Sequence, residues 1–155
     1  MGRIKEKPKI IHRPSTNQIL TSLQPMPDYS RLLLANSPDK TYGEFLHWLI
    51  DKNIYSEEDR KVSIKQIASD FKSDASKVTK MIKDVYEDIF VLNFDHPALF
   101  QQDGIKVCLY CKYFDSHCSF CISLPVLPRE HETVNFYFVN ARMGTHHFWI
   151  KRGRA

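Results

Sequence analysis

Two periodicities divide the chain. Up to about residue 90 apolar residues recur every three or four positions, the repeat of a helix with one buried face; from Ile105 they alternate one by one with polar residues, the repeat of a strand. Ser15-x-x-Gln18 is a capping signal ahead of Ile19, Leu20 and Leu23 and predicts a short helix that Pro25 and Pro27 end. Tyr29 to Ala35 is apolar but too short to assign to helix or strand. Thr41-x-x-Glu44 reads as a capping box for a helix to about Asn53, with Tyr42, Phe45, Leu46, Leu49 and Ile50 inward. Ser63-x-x-Gln66 opens a two-turn helix whose apolar face is Ile64, Ile67, Ala68 and Phe71. After Lys72, Ser73 and Asp74 cap a third helix with a buried stripe of Ala75, Val78, Ile82, Val85 and Ile89 and with Met81 on its flank.

In the second half Val107, Leu109, Cys111 and Tyr113 alternate with Lys106, Cys108, Tyr110 and Lys112, which predicts a strand. Asp115-Ser116 is the expected turn, and Cys118, Phe120, Ile122 and Leu124 repeat the alternation until Pro125 and Pro128. A third strand is expected at Val134 to Val139, a turn at Met143-Gly144-Thr145, and a fourth strand at His147 to Lys151. Four such strands imply a meander or a small barrel.

The segment Val62 to Ile89 carries the most information about function. Ala68 is the small residue that lets two helices cross closely, Ile67 and Phe71 flank it, and Val78 and Met81 supply the facing apolar positions. With these spacings Ile64-Lys-Gln-Ile67-Ala68-x-x-Phe71 followed by Val78-x-x-Met81 resembles the helix-turn-helix superfamily over about 28 residues, and the helix at 41–53 makes it similar to a trihelical core of the winged-helix kind. The resemblance implies a recognition helix that enters the DNA major groove, reading bases mainly from its N-terminal residues. Where that superfamily usually has glycine in the turn, this chain has Lys72; since left-handed backbone costs a non-glycine residue about 1–2 kcal/mol, a longer or differently shaped turn is expected. Opposite the buried stripe stand Ser76, Lys80, Lys83 and Glu87, with Lys77 and Thr79 at the sides, while Asp84, Glu87 and Asp88 further along would repel phosphate.

Charge sharpens this picture. The net charge of +4 is mild, but residues 1–31 carry six basic and two acidic side chains, against two and six in residues 32–59. Arg3, Lys5, Lys7, Lys9 and Arg13, spaced by Pro8 and Pro14, read as an extended, mobile basic arm able to add phosphate contacts. Apolar content of 43% argues for a folded core. No apolar run is long enough to span a bilayer, and neither a secretory signal nor a myristoylation pattern stands at Met1-Gly2, so a cytoplasmic location with four reduced cysteines is expected.

Cys108-x-x-Cys111 and Cys118-x-x-Cys121 raise a zinc-stabilised domain as an alternative. The pairs are only six residues apart, and strand alternation sends Cys111 and Cys118 to the apolar face and Cys108 and Cys121 to the other, so core packing is favoured and no metal is expected. His146-His147 cannot chelate one ion from a regular strand, and no phosphate-binding loop, dinucleotide fingerprint or nucleophile elbow occurs. The expectation is therefore a non-catalytic α+β protein without cofactors: a basic arm and lead-in (1–35), a trihelical helix-turn-helix-like domain (36–92) and a four-stranded β-rich domain (93–155). It would bind duplex DNA through Ser76, Lys77, Thr79, Lys80, Lys83 and the arm, as a transcription regulator or mobile-element accessory factor. The β half, rich in Phe136, Tyr137, Phe138, Phe148 and Trp149, would serve self-association or a protein partner, with no membrane role. A protein–protein interaction module without a nucleic-acid role is the competing expectation.

Overall fold

The computed structural model describes residues 8–37, 39–52 and 63–151. Five helices precede the first strand: α1 (Thr16–Leu23), α2 (Pro27–Asn36), α3 (Gly43–Asp51), α4 (Ile64–Phe71) and α5 (Ala75–Asp95). A 3-10 turn at Pro97–Leu99 leads into strands β1 (Ile105–Tyr113) and β2 (Ser116–Leu124); β3 (Thr133–Asn135), a second 3-10 turn, α6 (Asn140–Met143) and β4 (His147–Trp149) follow.

Local chemistry accounts for most helix starts. Ser15 closes a full capping box, its hydroxyl accepting from Gln18 N–H at 3.2 Å while the Gln18 side chain accepts from Ser15 N–H at 3.0 Å. Ser63 accepts from Gln66 N–H at 3.1 Å, but the Gln66 amide turns forward to Asp70 at 2.8 Å. Pro27 occupies the first turn of α2, where its missing N–H costs nothing. The Thr41–Glu44 capping box does not form: α3 starts at Gly43 behind Tyr42, whose buried ring and Asp88-bonded hydroxyl fix the helix start instead.

The α+β class holds, but neither the four-stranded meander nor the winged-helix arrangement does. β1 and β2 form one antiparallel hairpin and β3 and β4 a separate short one. The expected third strand stops at Asn135 because Phe138 and Val139 are both fully buried; consecutive strand residues face opposite sides, so a strand covered on one face cannot bury both. The chain coils instead, and Phe138, Val139, Ala141 and Met143 all turn inward. On the helical side α1, which the Ser15 cap predicts, and α2, which the sequence leaves unassigned, also pack on α5, so the trihelical unit does not stand alone.

Phe120 of β2 is the hub of the core. Its ring lies 5.2–5.7 Å, centre to centre, from those of Tyr29, Phe90, Phe100, Phe136 and Phe138. One buried cluster thus joins α2, α5, the Pro97 turn, the hairpin and the segment before α6. Tyr86 donates from its hydroxyl to the Phe138 carbonyl at 2.6 Å, and Ser22 accepts from Ala141 N–H at 3.0 Å, so polar groups in this cluster are paired. Asn93, 2% exposed, clamps β2 to α5: its side chain donates to the Cys121 carbonyl and accepts from the Cys121 N–H, both at 2.8 Å.

The segment at 10–12 is docked rather than free. Ile10 N–H donates to the Asp115 carboxylate, Asp115 N–H donates to the Ile10 carbonyl at 3.1 Å, and His12 N–H donates to Ser116 Oγ at 3.0 Å. The expected mobile arm is therefore tied across the tip of the β1–β2 hairpin at this point; Arg3, Lys5 and Lys7 lie outside the described residues, as do Asn53 and Val62.

Candidate nucleic-acid interface

Helix α4, its turn and α5 form the unit that the sequence singles out. Ala68 and Ile67 are buried where α4 meets α5, and Val78, Ile82, Val85 and Ile89 face inward as expected. Ala75 is exposed, since it sits on the first turn of α5 ahead of the crossing. The turn is neither longer nor differently shaped: Lys72 itself takes the left-handed conformation, φ 57° and ψ 48°. Ser73 N–H donates to the Ala68 carbonyl at 2.9 Å and Lys72 N–H to Ser69 at 3.2 Å, the paired bonds of a Schellman motif. These bonds satisfy carbonyls that the end of α4 would leave open, and offset the strain at Lys72. Residues 72–74 then deliver the chain into α5 behind Asp74, whose side chain makes no capping hydrogen bond.

Ser76, Lys77, Lys80 and Lys83 are exposed along the first half of α5, and Thr79 is half-buried. Lys80 forms a 2.8 Å ion pair with Asp84, and the hydrogen bond and charge of that carboxylate raise its pKa, fixing the ammonium in its charged form. Solvent screens an exposed pair of this kind, so Lys80 is not committed to Asp84. The carboxylates expected to repel phosphate have cationic partners: Asp84 holds Lys80, Glu87 accepts from Arg142 at 3.2 Å, and Asp88 lies 3.6 Å from Lys40 and accepts from Tyr42. Lys9 and Arg13 are exposed and flank the residues tied to the hairpin tip.

The cysteines divide by face as strand alternation requires, but not all stand as thiols. Cys108 and Cys121 are directly opposite across the hairpin and joined by a disulfide, which corrects the expectation of four reduced cysteines. Cys111 and Cys118, opposite each other on the inner face, are buried thiols in mutual hydrogen bonding that lowers the pKa of the acceptor Cys111 and raises that of Cys118. No group of three or more metal-ligating side chains occurs among the described residues. Phe136 and Phe138 are core and Phe148 half-buried, whereas Tyr137 and Trp149 are exposed. His146 stacks on Tyr137 at 4.4 Å; its pKa is lowered by desolvation and by His147.

Among the described residues no helix is long and apolar enough to cross a membrane. No protein-family model, no curated protein and no solved structure matches this chain.

Proposed function

We propose that the chain is a non-catalytic DNA-binding protein, a transcription regulator or mobile-element accessory factor, that lays the first half of α5 against duplex DNA. The observation that carries this reading is the α4–α5 unit: a three-residue turn closed by a left-handed residue, a small buried residue at the crossing, and Ser76, Lys77, Lys80 and Lys83 outward on the second helix. Fluorescence anisotropy with random duplex at varied salt tests it. Each phosphate contact contributes about −0.9 to the slope of log K against log salt, so contacts from Lys77, Lys80 and Lys83 give about −2.7. Lys80→Ala is expected to bring the slope closer to zero by about 0.9. If removing residues 1–9 abolishes duplex binding while Lys80→Ala changes nothing, α5 is not the recognition helix.

One observation favours a second reading, a protein-interaction module. Val91 and Phe94 on the other end of α5 are 54% and 84% exposed, beside a cavity of about 210 Å³ lined in part by Leu33, Leu92 and His96. Exposed apolar side chains one helical turn apart suit a protein partner. Under this reading Phe94→Ser removes partner binding and leaves DNA binding unchanged.

A further inference from the structure

The outward face of the β1–β2 hairpin has a composition that solvation alone does not require. Strand alternation and cross-strand register place Lys106, Cys108, Tyr110 and Lys112 of β1 beside His117, Ser119, Cys121 and Ser123 of β2 on this face, and no carboxylate stands among these eight positions. Tyr110 is 68% exposed, with the His117 ring 6.2 Å away across the ladder. Lys106 and Lys112 are exposed on either side of it along the strand. At the tip, Phe114 occupies the first position of a two-residue turn with φ 52°, backbone that disfavours a bulky side chain and suits glycine. The residue is 58% exposed; its ring meets Tyr113 edge-on at 4.6 Å and lines, with Ile10, His12 and Met143, a cavity at the hairpin tip.

The face is also held rigid. Nine cross-strand pairs, the Cys108–Cys121 disulfide, the Asn93 clamp on Cys121 and the ties from Ile10 and His12 to Asp115 and Ser116 fix the hairpin at both ends and on its edge. Among the described residues the carboxylate at the tip is that of Asp115, which accepts from Ile10 N–H. Presented aromatic rings, interleaved lysines and a backbone that needs no ordering are what a stacking platform for unpaired bases requires: every base has a face to stack, and the lysines follow the phosphates.

We propose that the outer face of the β1–β2 hairpin binds single-stranded nucleic acid, with a base stacking on Tyr110 and phosphates paired with Lys106 and Lys112. The partner is identified by charge complementarity, a cationic strip free of carboxylates among the described residues against a polyanion, and by a flat Tyr110 ring open to solvent; a duplex keeps its bases stacked inside and leaves that ring unused. This surface is separate from the α5 face, and the inference stands or falls independently of the duplex reading.

The test is anisotropy of the full chain with a labelled thymidine homopolymer, which has no secondary structure of its own, and with a duplex of equal length. The wild type is expected to bind the homopolymer. Tyr110→Ala weakens that binding by about tenfold, the loss associated with one stacked base, while Tyr110→Phe restores it. Lys112→Ala brings the salt slope on the homopolymer closer to zero by about 0.7. Lys80→Ala leaves homopolymer binding unchanged, and Tyr110→Ala leaves duplex binding unchanged, so failure of one surface is distinguishable from failure of the other. Circular dichroism and melting temperature confirm that each variant is folded. No homopolymer binding by the wild type, or binding indifferent to both Tyr110→Ala and Lys112→Ala, overturns the proposal.

Discussion

Replacing Lys72 by glycine is expected to stabilise the protein, and the amount follows from the turn it sits in. Lys72 is exposed and held at φ 57°, ψ 48°, so its substitution removes no buried contact. A non-glycine residue in this region costs about 1–2 kcal/mol. Glycine relieves that strain but adds freedom to the unfolded chain worth about 0.5–1 kcal/mol. The net gain is about 0.5–1 kcal/mol, and for a chain of this length a kilocalorie moves the melting point by about 2–4 °C. Lys72→Gly is therefore expected to melt about 1–4 °C higher than wild type by calorimetry, with the urea m-value unchanged. Lys72→Ala, which keeps its Cβ, separates strain from lost charge and is expected to stay near wild type. A lower melting point for Lys72→Gly, or equal gains for glycine and alanine, would show that the turn is not left-handed and would remove the geometric basis of the helix-turn-helix reading.

Ala68→Leu overpacks the α4–α5 crossing and is expected to destabilise by about 1–3 kcal/mol in urea unfolding; an unchanged midpoint would mean the helices do not meet there. Asn93→Ala strands the Cys121 N–H and carbonyl and is expected to cost about 2–4 kcal/mol, with hydrogen exchange accelerated at Cys121 first. Under denaturing conditions without reductant two thiols per chain should react with a thiol reagent, rising to four after reduction, and reduction should lower stability by about 2–3 kcal/mol through release of a 13-residue separation; four reactive thiols from the outset would refute the outer disulfide. Burial pushes the Tyr29 hydroxyl up from 10.0 to about 12, with Asp28 adding to the shift, and raises Tyr86 as well. Their folded states favour the neutral phenol, so this stability is complete below pH 10 and is lost as pH rises towards 12; a melting point flat across that window would contradict their burial.

How much of this was legible in the sequence depended on range. The Ser15 cap, the α4–α5 stripe apart from Ala75, and the alternation of β1 and β2 are local signals and appear where the sequence puts them. The hairpin turn lies at Phe114-Asp115 rather than Asp115-Ser116, because register is set by the pairing of whole strands. The third strand failed because Phe136 and Phe138 alternate for too few residues to tell a strand from a coil around Phe120. Helix α2 gave no decision because Tyr29, Ser30 and Leu33 face a core assembled from distant segments. At the site, the outward placement of Lys77, Lys80 and Lys83 followed from helical period alone. The alternation already set Lys106, Tyr110 and Lys112 on one face, but the exposure of Phe114, the pairing of Cys108 with Cys121 and the tie from residue 10 depend on contacts across the chain.

The ties between segments far apart in sequence also bear on how the chain is made. Ile10 and His12 bond residues 105 and 104 positions further on, and the Ser22 hydroxyl accepts from Ala141, 119 positions away. A ribosome adding about 5–20 residues per second needs about 6–24 s to produce that last partner, whereas helices form in about a microsecond. Helix α1 is thus synthesised well before these partners and is among the last elements to have all its contacts. During that interval Ile19, Leu20 and Leu23 lack the part of their cover that comes from the α6 region. A nascent chain halted before Tyr137 would present this apolar face to chaperones, and synthesis of residues 137–143 acts as the step that closes the core over α1.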